Sequence, residues 1–249
     1  MNEFFDMPSD LQHSYLGLVG WHLEEALIPV VAGLLIALPI GQLCVRFKWI
    51  YPPVLWVTTV LYAVPSLAFF VVLIDYTGQS QITVMIPLSL YSLVVLVPAI
   101  VDGVRSVPEE TNAAAAAMGI GPVRRYLQVQ LPIAVPAIIA GLRVATVSSI
   151  SLVSVGTLIG NQGALGNLLA DAMFYHRPIL AVSSVVTTAV LAILADALLV
   201  LVRRLLTPWQ PRGARSSARA GRRGGGSHDE STSSPGAGEG AAPALERVP

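Results

Sequence analysis

Charge is what this sequence has least of. Only 12% of its 249 residues are Asp, Glu, Lys or Arg, whereas a soluble domain of this size carries roughly 25%. The deficit comes with 54% hydrophobic residues and a mean hydropathy of +0.67. It excludes an ordinary water-soluble core and points to a chain that lives in lipid. The net charge is zero, so no electrostatic field marks a nucleic-acid partner. A single cysteine, Cys44, excludes an internal disulfide framework and reads as a small buried apolar side chain. His13, His22, His176 and His228 have no metal-ligand spacing, and no nucleophile stands with a base. No G-x-x-x-x-G-K-[ST] phosphate loop occurs, so this chain has no nucleotide site of that kind and no catalytic residue is expected. Residues 1–21 contain no Lys or Arg and do not read as a secretory signal.

What is present are long apolar runs. A transmembrane helix needs about 20 apolar residues to cross roughly 30 Å of hydrocarbon. Four charge-free windows meet this: residues 26–45, 52–74, 82–101 and 144–159, the last extendable past Arg143 by snorkelling. A fifth, 178–202, contains one acid, Asp196, which fits a structural ion pair with Arg143 or Arg204. Pro29, Pro39, Pro65, Pro87 and Pro98 fall in or near these windows, where spans tolerate them. The expected fold is an all-α integral membrane protein with about five spans. A polar arm, 1–22, precedes a membrane domain over 23–205. Residues 206–249, rich in Gly, Ser, Ala and Pro, read as a disordered tail.

Nine Lys and Arg precede the tail, and only Arg177 falls on the opposite side from the rest. The positive-inside rule then places the N-terminus outside and the C-terminus in the cytoplasm. On the outer side, residues 160–178 hold a short apolar helix candidate, 168–174. They read either as a returning loop or as a gate or docking surface for an external partner.

The longest cytoplasmic loop, about 102–138, is not built for lipid. Ser106-Val-Pro-Glu109 fits a capping box with Ser106 as N-cap. Ala113 to Ala117 favour helix, Gly119 and Gly121 permit positive φ, and Pro122 starts a second short helix that Pro132 ends. Arg124, Arg125, Gln128 and Gln130 alternate there with Val123, Tyr126, Leu127 and Val129. Helix, glycine turn, helix on the membrane surface is the local expectation.

The run Ala114-Ala115, then Gly119, nine residues, and Val129-Gln-Leu131-Pro132 resembles the signature loop of permease subunits of bacterial ATP-binding-cassette (ABC) importers. LPIAVPAIIAGLRVATV, VPSLAFFVVL and GTLIGNQGALGNLL are similar to the glycine betaine, carnitine, choline and proline branch of that family. The resemblance covers most of residues 23–205. It implies a coupling helix that docks on a separate cytoplasmic ATPase, which supplies ATP and Mg. It further implies a second permease copy or paralogue, an extracytoplasmic solute-binding protein, and a place in the bacterial plasma membrane. The residues it assigns to coupling are Glu109, Glu110, Ala113, Ala114, Ala115, Gly119, Arg124, Arg125, Leu131 and Pro132. Ala113 stands where the family has an acid. Glu109 and Glu110, four and three residues earlier on the same helical face, are the candidates to replace it; pairing with a permease that bears the full motif is the other solution.

Tyr62, Pro65, Ser66, Ser148, Ser149 and Ser151 are candidates for a polar path between spans two and four, with ordinary helix packing as the plainer reading of the serines. A betaine-like cation has no N–H donor, so ring faces and carboxylates recognise it best. Few aromatics lie in the spans and no cage is legible. A methionine-type permease is the nearest alternative. An ion-driven secondary transporter is an alternative of another class, although neither an inverted repeat nor a paired intramembrane charge is found. A non-transporting scaffold is a third.

Overall fold

Why α1 packs as it does is visible in its own sequence. Over Ser9–Arg46, His22, Glu25, Ala26, Pro29, Val30, Gly33, Ala37, Gly41 and Cys44 are buried, a stripe with steps of three and four residues. The rest of the helix turns Leu27, Ile28, Val31, Leu35 and Ile36 outward, as lipid requires. The computed structural model describes residues 9–159 and 164–208. The expected disordered tail from 209 onward and the first eight residues of the expected arm lie outside those residues. The helix begins at Ser9, so the later part of that arm is continuous with the first span.

The chain continues as α2 (Tyr51–Ala63), α3 (Ser66–Thr77), α4 (Gln81–Arg105), α5 (Glu109–Ala117), α6 (Pro122–Arg125), a π-helical turn (Tyr126–Gln130), α7 (Leu131–Gly156), a 3-10 turn (Thr157–Ile159), α8 (Gly166–Phe174) and α9 (Pro178–Leu206). No strand occurs among the described residues. Helix α4 is the centre of the bundle, in contact with α1, α2, α3 and α7; α7 in turn packs on α1 and α9. The expected helix at 168–174 is present, extended by two residues at its start.

Glycines set how closely these helices approach. A Cβ on Gly33 would lie 1.7 Å from Ser92 Oγ, and one on Gly41 would lie 2.5 Å from Ile100 Cγ2. Lipid supplies no hydrophobic drive for helix association, so such close approach and its dispersion contacts hold the bundle together. Across α4 and α7 the same device recurs, with a Gly141 Cβ falling 2.6 Å from Ala99 Cβ. The side chains add hydrogen bonds: Ser149 Oγ donates to Ala26 O at 2.8 Å, and His22 Nε2 donates to Ile150 O at 2.9 Å. Asp196 makes a two-pronged pair with Arg143, at 2.6 and 2.7 Å, tying α9 to α7 as expected; a paired charge between two spans is thus present, contrary to the reading that none is found.

The second span departs from its expected form. It is broken at Val64-Pro65, where both residues are extended (ψ 125° and 129°), and its halves are bent by 89°. Pro65 removes one backbone donor and excludes the α conformation for Val64, and here no neighbour restores the helix. The pair is nevertheless a crossing. Gly33 faces Ser92 and Gly41 faces Ile100, so α1 and α4 run in parallel. A chain that leaves α1 at one end and enters α4 at the other has to cross the full thickness in between. With α1, α4, α7 and α9 long and apolar enough to span, the bent pair makes the fifth.

Candidate functional site

Between α4 and α7 the chain makes a short excursion that is the most polar part of the bundle. Ser106 does not cap the helix that follows. It closes α4 instead, its hydroxyl donating to Gly103 O at 2.7 Å and its N–H to Asp102 O at 3.0 Å. The N-cap position of α5 belongs to Pro108, whose carbonyl accepts from Thr111 and Asn112. The capping-box reading fails because buried Val107 pins the chain and spends the intervening residues on the turn. Helix α5 then starts at Glu109, with two carboxylates in its first turn complementing the helix dipole.

The turn after α5 uses one left-handed residue. Gly119 has φ +77°, and Ile120 N–H returns to Ala115 O, which closes the helix end. Gly121 is extended (φ −63°, ψ 161°), contrary to the expectation of positive φ there; Pro122 follows as the first residue of α6. Pro132 does not end that helix. Leu131 N–H bonds Tyr126 O five residues back, and the wider π turn moves the carbonyls that a proline ring would otherwise strike. Helix therefore runs without interruption from Pro122 to Ile159.

One bond holds this excursion to α1, and two more hold its parts to each other. Tyr126 is buried and its hydroxyl donates to Leu38 O of α1 at 3.1 Å. Gln130 Nε2 donates to Asn112 Oδ1 at 2.8 Å, and Arg125 Nη1 reaches Asn112 O at 3.5 Å. Arg124 points away and bonds Gln128 Oε1 on its own helix. Asn112 thus ties α5 to the turn that leads into α7, and Tyr126 ties that turn to α1.

The residues assigned to coupling divide into two sets. Glu109, Glu110, Ala113, Ala114, Gly119 and Arg124 are exposed, whereas Ala115 is buried and Arg125, Leu131 and Pro132 are half-buried on the bundle side. Sequence reasoning missed an apolar patch on the exposed side. Met118 is 73% exposed, Val123 72% and Leu127 57%. Its signal was the interleaving of apolar with charged residues after Gly119, which does not by itself say which side faces out. Asn112, the bridge within the arm, carried no sequence signal.

The path candidates are likewise split. Tyr62, Pro65 and Ser66 sit at the α2–α3 break. Ser149 is buried and spent on α1, Ser151 bonds Val147 O of its own helix, and Ser148 is half-buried. A contact the sequence did not disclose lies at the break: Tyr91 of α4 meets Tyr62 edge-to-face at 6.0 Å and Phe69 at 6.1 Å, and its hydroxyl donates to Val64 O at 3.1 Å.

Comparison with known proteins agrees with this architecture. The family described as "Binding-protein-dependent transport system inner membrane component" matches residues 30–210. The choline transport system permease protein OpuBB of Bacillus subtilis is 28% identical over 75% of this chain and 86% of its own length. The carnitine transport permease protein OpuCD of Listeria monocytogenes is 31% identical over 75% and 84%. The osmoprotectant import permease protein OsmW of Salmonella typhimurium is 30% identical over 75% and 89%. Among solved structures, an inward-facing form of the MetNI methionine ABC transporter superposes with a TM-score of 0.70 at 17% identity, over 81% of this chain and all of the other. That likeness concerns the fold. The matched span and the bundle of long apolar helices together place this chain in the family of multi-pass inner-membrane permease components of binding-protein-dependent transport systems.

Proposed function

We propose that the chain is the permease subunit of an ATP-driven importer of quaternary-ammonium and proline-type osmoprotectants. The observation that carries the reading is similarity over three quarters of the chain to permeases named for choline, carnitine and osmoprotectants. The arm α5–α6 is the part that receives work. Its exposed Met118, Val123 and Leu127 offer an ATPase subunit an apolar contact, flanked by Glu109, Glu110 and Arg124. The ATPase hydrolyses ATP, and buried Tyr126 with half-buried Asn112 and Gln130 transmits its closure to α1 and α7. Solute reaches the outer end of the bundle on a separate binding protein, and two permease copies or paralogues frame the path.

The orientation proposed puts the N-terminus outside and the arm in the cytoplasm. Arg46 and Arg105 end α1 and α4, which run in parallel, with Lys48 just after α1; Arg124 and Arg125 lie in α6, and Arg203 and Arg204 in the last turn of α9. That asymmetry is the positive-inside signal. A methionine-type importer shares the fold, but the relatives at 28–31% identity are named for osmoprotectants.

Purification of the tagged chain in mild detergent from its native membrane tests the reading. An ATP-hydrolysing subunit should co-purify, and Val123→Asp with Leu127→Asp should abolish that association without lowering permease yield. Retention of the ATPase by the double variant contradicts the docking face; a chain that brings no ATPase contradicts the importer.

A further inference from the structure

The broken second span poses a physical problem that its sequence does not solve. Backbone that is neither helix nor closed barrel is tolerated at membrane depth only where protein buries it or water reaches it. Val64 and Pro65 are nevertheless exposed on this chain, and Tyr62 is 58% exposed. The break also lies deep. Tyr91, which holds Val64 O, is the eleventh of the 25 residues of α4, about 15 Å from the start of that helix and about 21 Å from its end. This surface is therefore turned away from acyl chains, and with the two permease copies proposed above it borders the path they frame.

The side chains at the break have a definite chemistry. Tyr62, Tyr91 and Phe69 bring three rings together, with interplanar angles of 84° and 68°, so their faces point in different directions. The Tyr91 hydroxyl is occupied by Val64 O, which fixes the central ring and leaves Tyr62 as the ring that water and solute reach. The C-terminal end of α2 lies beside them, its last turn closed by Val64 N–H on Leu61 O. Ring faces and the negative end of a helix dipole both favour a cation that carries no donor. No carboxylate belongs to this cluster, so the affinity it supplies is low, as suits a station that has to release its cargo.

We infer that the α2–α3 break is a transient binding station for the trimethylammonium group of the solute, with Tyr62 as the accessible ring and Tyr91 and Phe69 as its frame. The inference rests on the import reading above. Ser66, the first residue of α3, stands on the positive end of the next helix, where the solute's carboxylate or hydroxyl would lie when the ammonium is against Tyr62.

The test uses the permease–ATPase complex in nanodiscs without its binding protein, and radiolabelled choline as probe. Choline binding should weaken about tenfold in Tyr62→Leu and be retained in Tyr62→Phe. Phe69→Leu should weaken it by a smaller factor, and tetramethylammonium should compete while 3,3-dimethylbutanol, the uncharged carbon analogue of choline, should not. Equal binding by Tyr62→Leu and wild type, or equal competition by the uncharged analogue, overturns the station. Uptake by the complete wild-type importer, measured in parallel, separates the two ideas. Choline uptake with unchanged Tyr62→Leu binding defeats the station alone. No uptake of any quaternary-ammonium solute defeats the import reading beneath it.

Discussion

Arg143 and Asp196 show how a single pair stabilises a lipid-facing helix. Helix α9 buries only Ser184 among its 29 residues, so it has little packing to hold it against α7. The two-pronged guanidinium–carboxylate pair supplies what packing does not, and removing one partner leaves the other charge facing hydrocarbon. Arg143→Leu and Asp196→Leu should each lower the melting temperature of the detergent-purified protein. The double variant should recover part of the loss, because it leaves no orphan charge. Additive losses in the double variant would mean that the two residues act separately. This pairing was legible in sequence, since an acid in an apolar window demands a base at a reachable depth. The acid missing at position 113 was equally visible. Glu109, Ala113 and Ala117 lie along one exposed line of α5, which favours Glu109 as the substitute. Glu109→Ala should then reduce solute-stimulated ATP hydrolysis several-fold, and Ala113→Glu should restore it in that background. Unchanged stimulation in Glu109→Ala, Glu110→Ala and the pair together would remove both from coupling.

At the scale of elements, apolar windows located the spans because lipid imposes length and composition directly. Breaks and caps were harder to read. Pro29, Pro39, Pro87, Pro98 and Pro136 all sit inside helices, yet Pro65 ends one. The difference lies in what packs around each, and a single sequence does not carry that information. Ser106 likewise has the residues of an N-cap but closes the helix before it. Pro132 passes as a helical residue because a π turn precedes it. Close helix approach was also hidden, since glycines at 17, 33 and 41 look alike in sequence. They differ in the bundle: a methyl group at Gly33 or Gly41 strikes α4, and one at Gly17 meets nothing within 4 Å. Gly33→Ala should therefore destabilise by about 1–3 kcal/mol through overpacking. Gly17→Ala should leave stability unchanged or raise it by up to about 1 kcal/mol through helix propensity. Thermal unfolding in one detergent compares the two, and an equal effect would contradict the packing of α1 on α4.

For the whole molecule, the architecture divides labour between a bundle and an arm. The bundle is held by small residues and a few buried hydrogen bonds, which permits helices to shift against one another without losing a large hydrophobic core. The arm is exposed at its tip, bonded to α1 through Tyr126 and continuous with α7 through the π turn. On the proposed function, this arm would convert closure of the ATPase into reorientation of spans. Legible in the sequence were the arm's position between α4 and α7 and its helix–turn–helix form. The aromatic station was not, because Tyr62, Phe69 and Tyr91 meet only through the parallel packing that returns α4 beside the broken span. The most direct test of the account is uptake of radiolabelled choline or glycine betaine into proteoliposomes holding this permease, its ATPase and its binding protein, with ATP enclosed on the arm's side. The account predicts accumulation that requires ATP hydrolysis and that the Val123→Asp, Leu127→Asp variant loses. Uptake that persists without ATP, or that follows an imposed ion gradient, would contradict it.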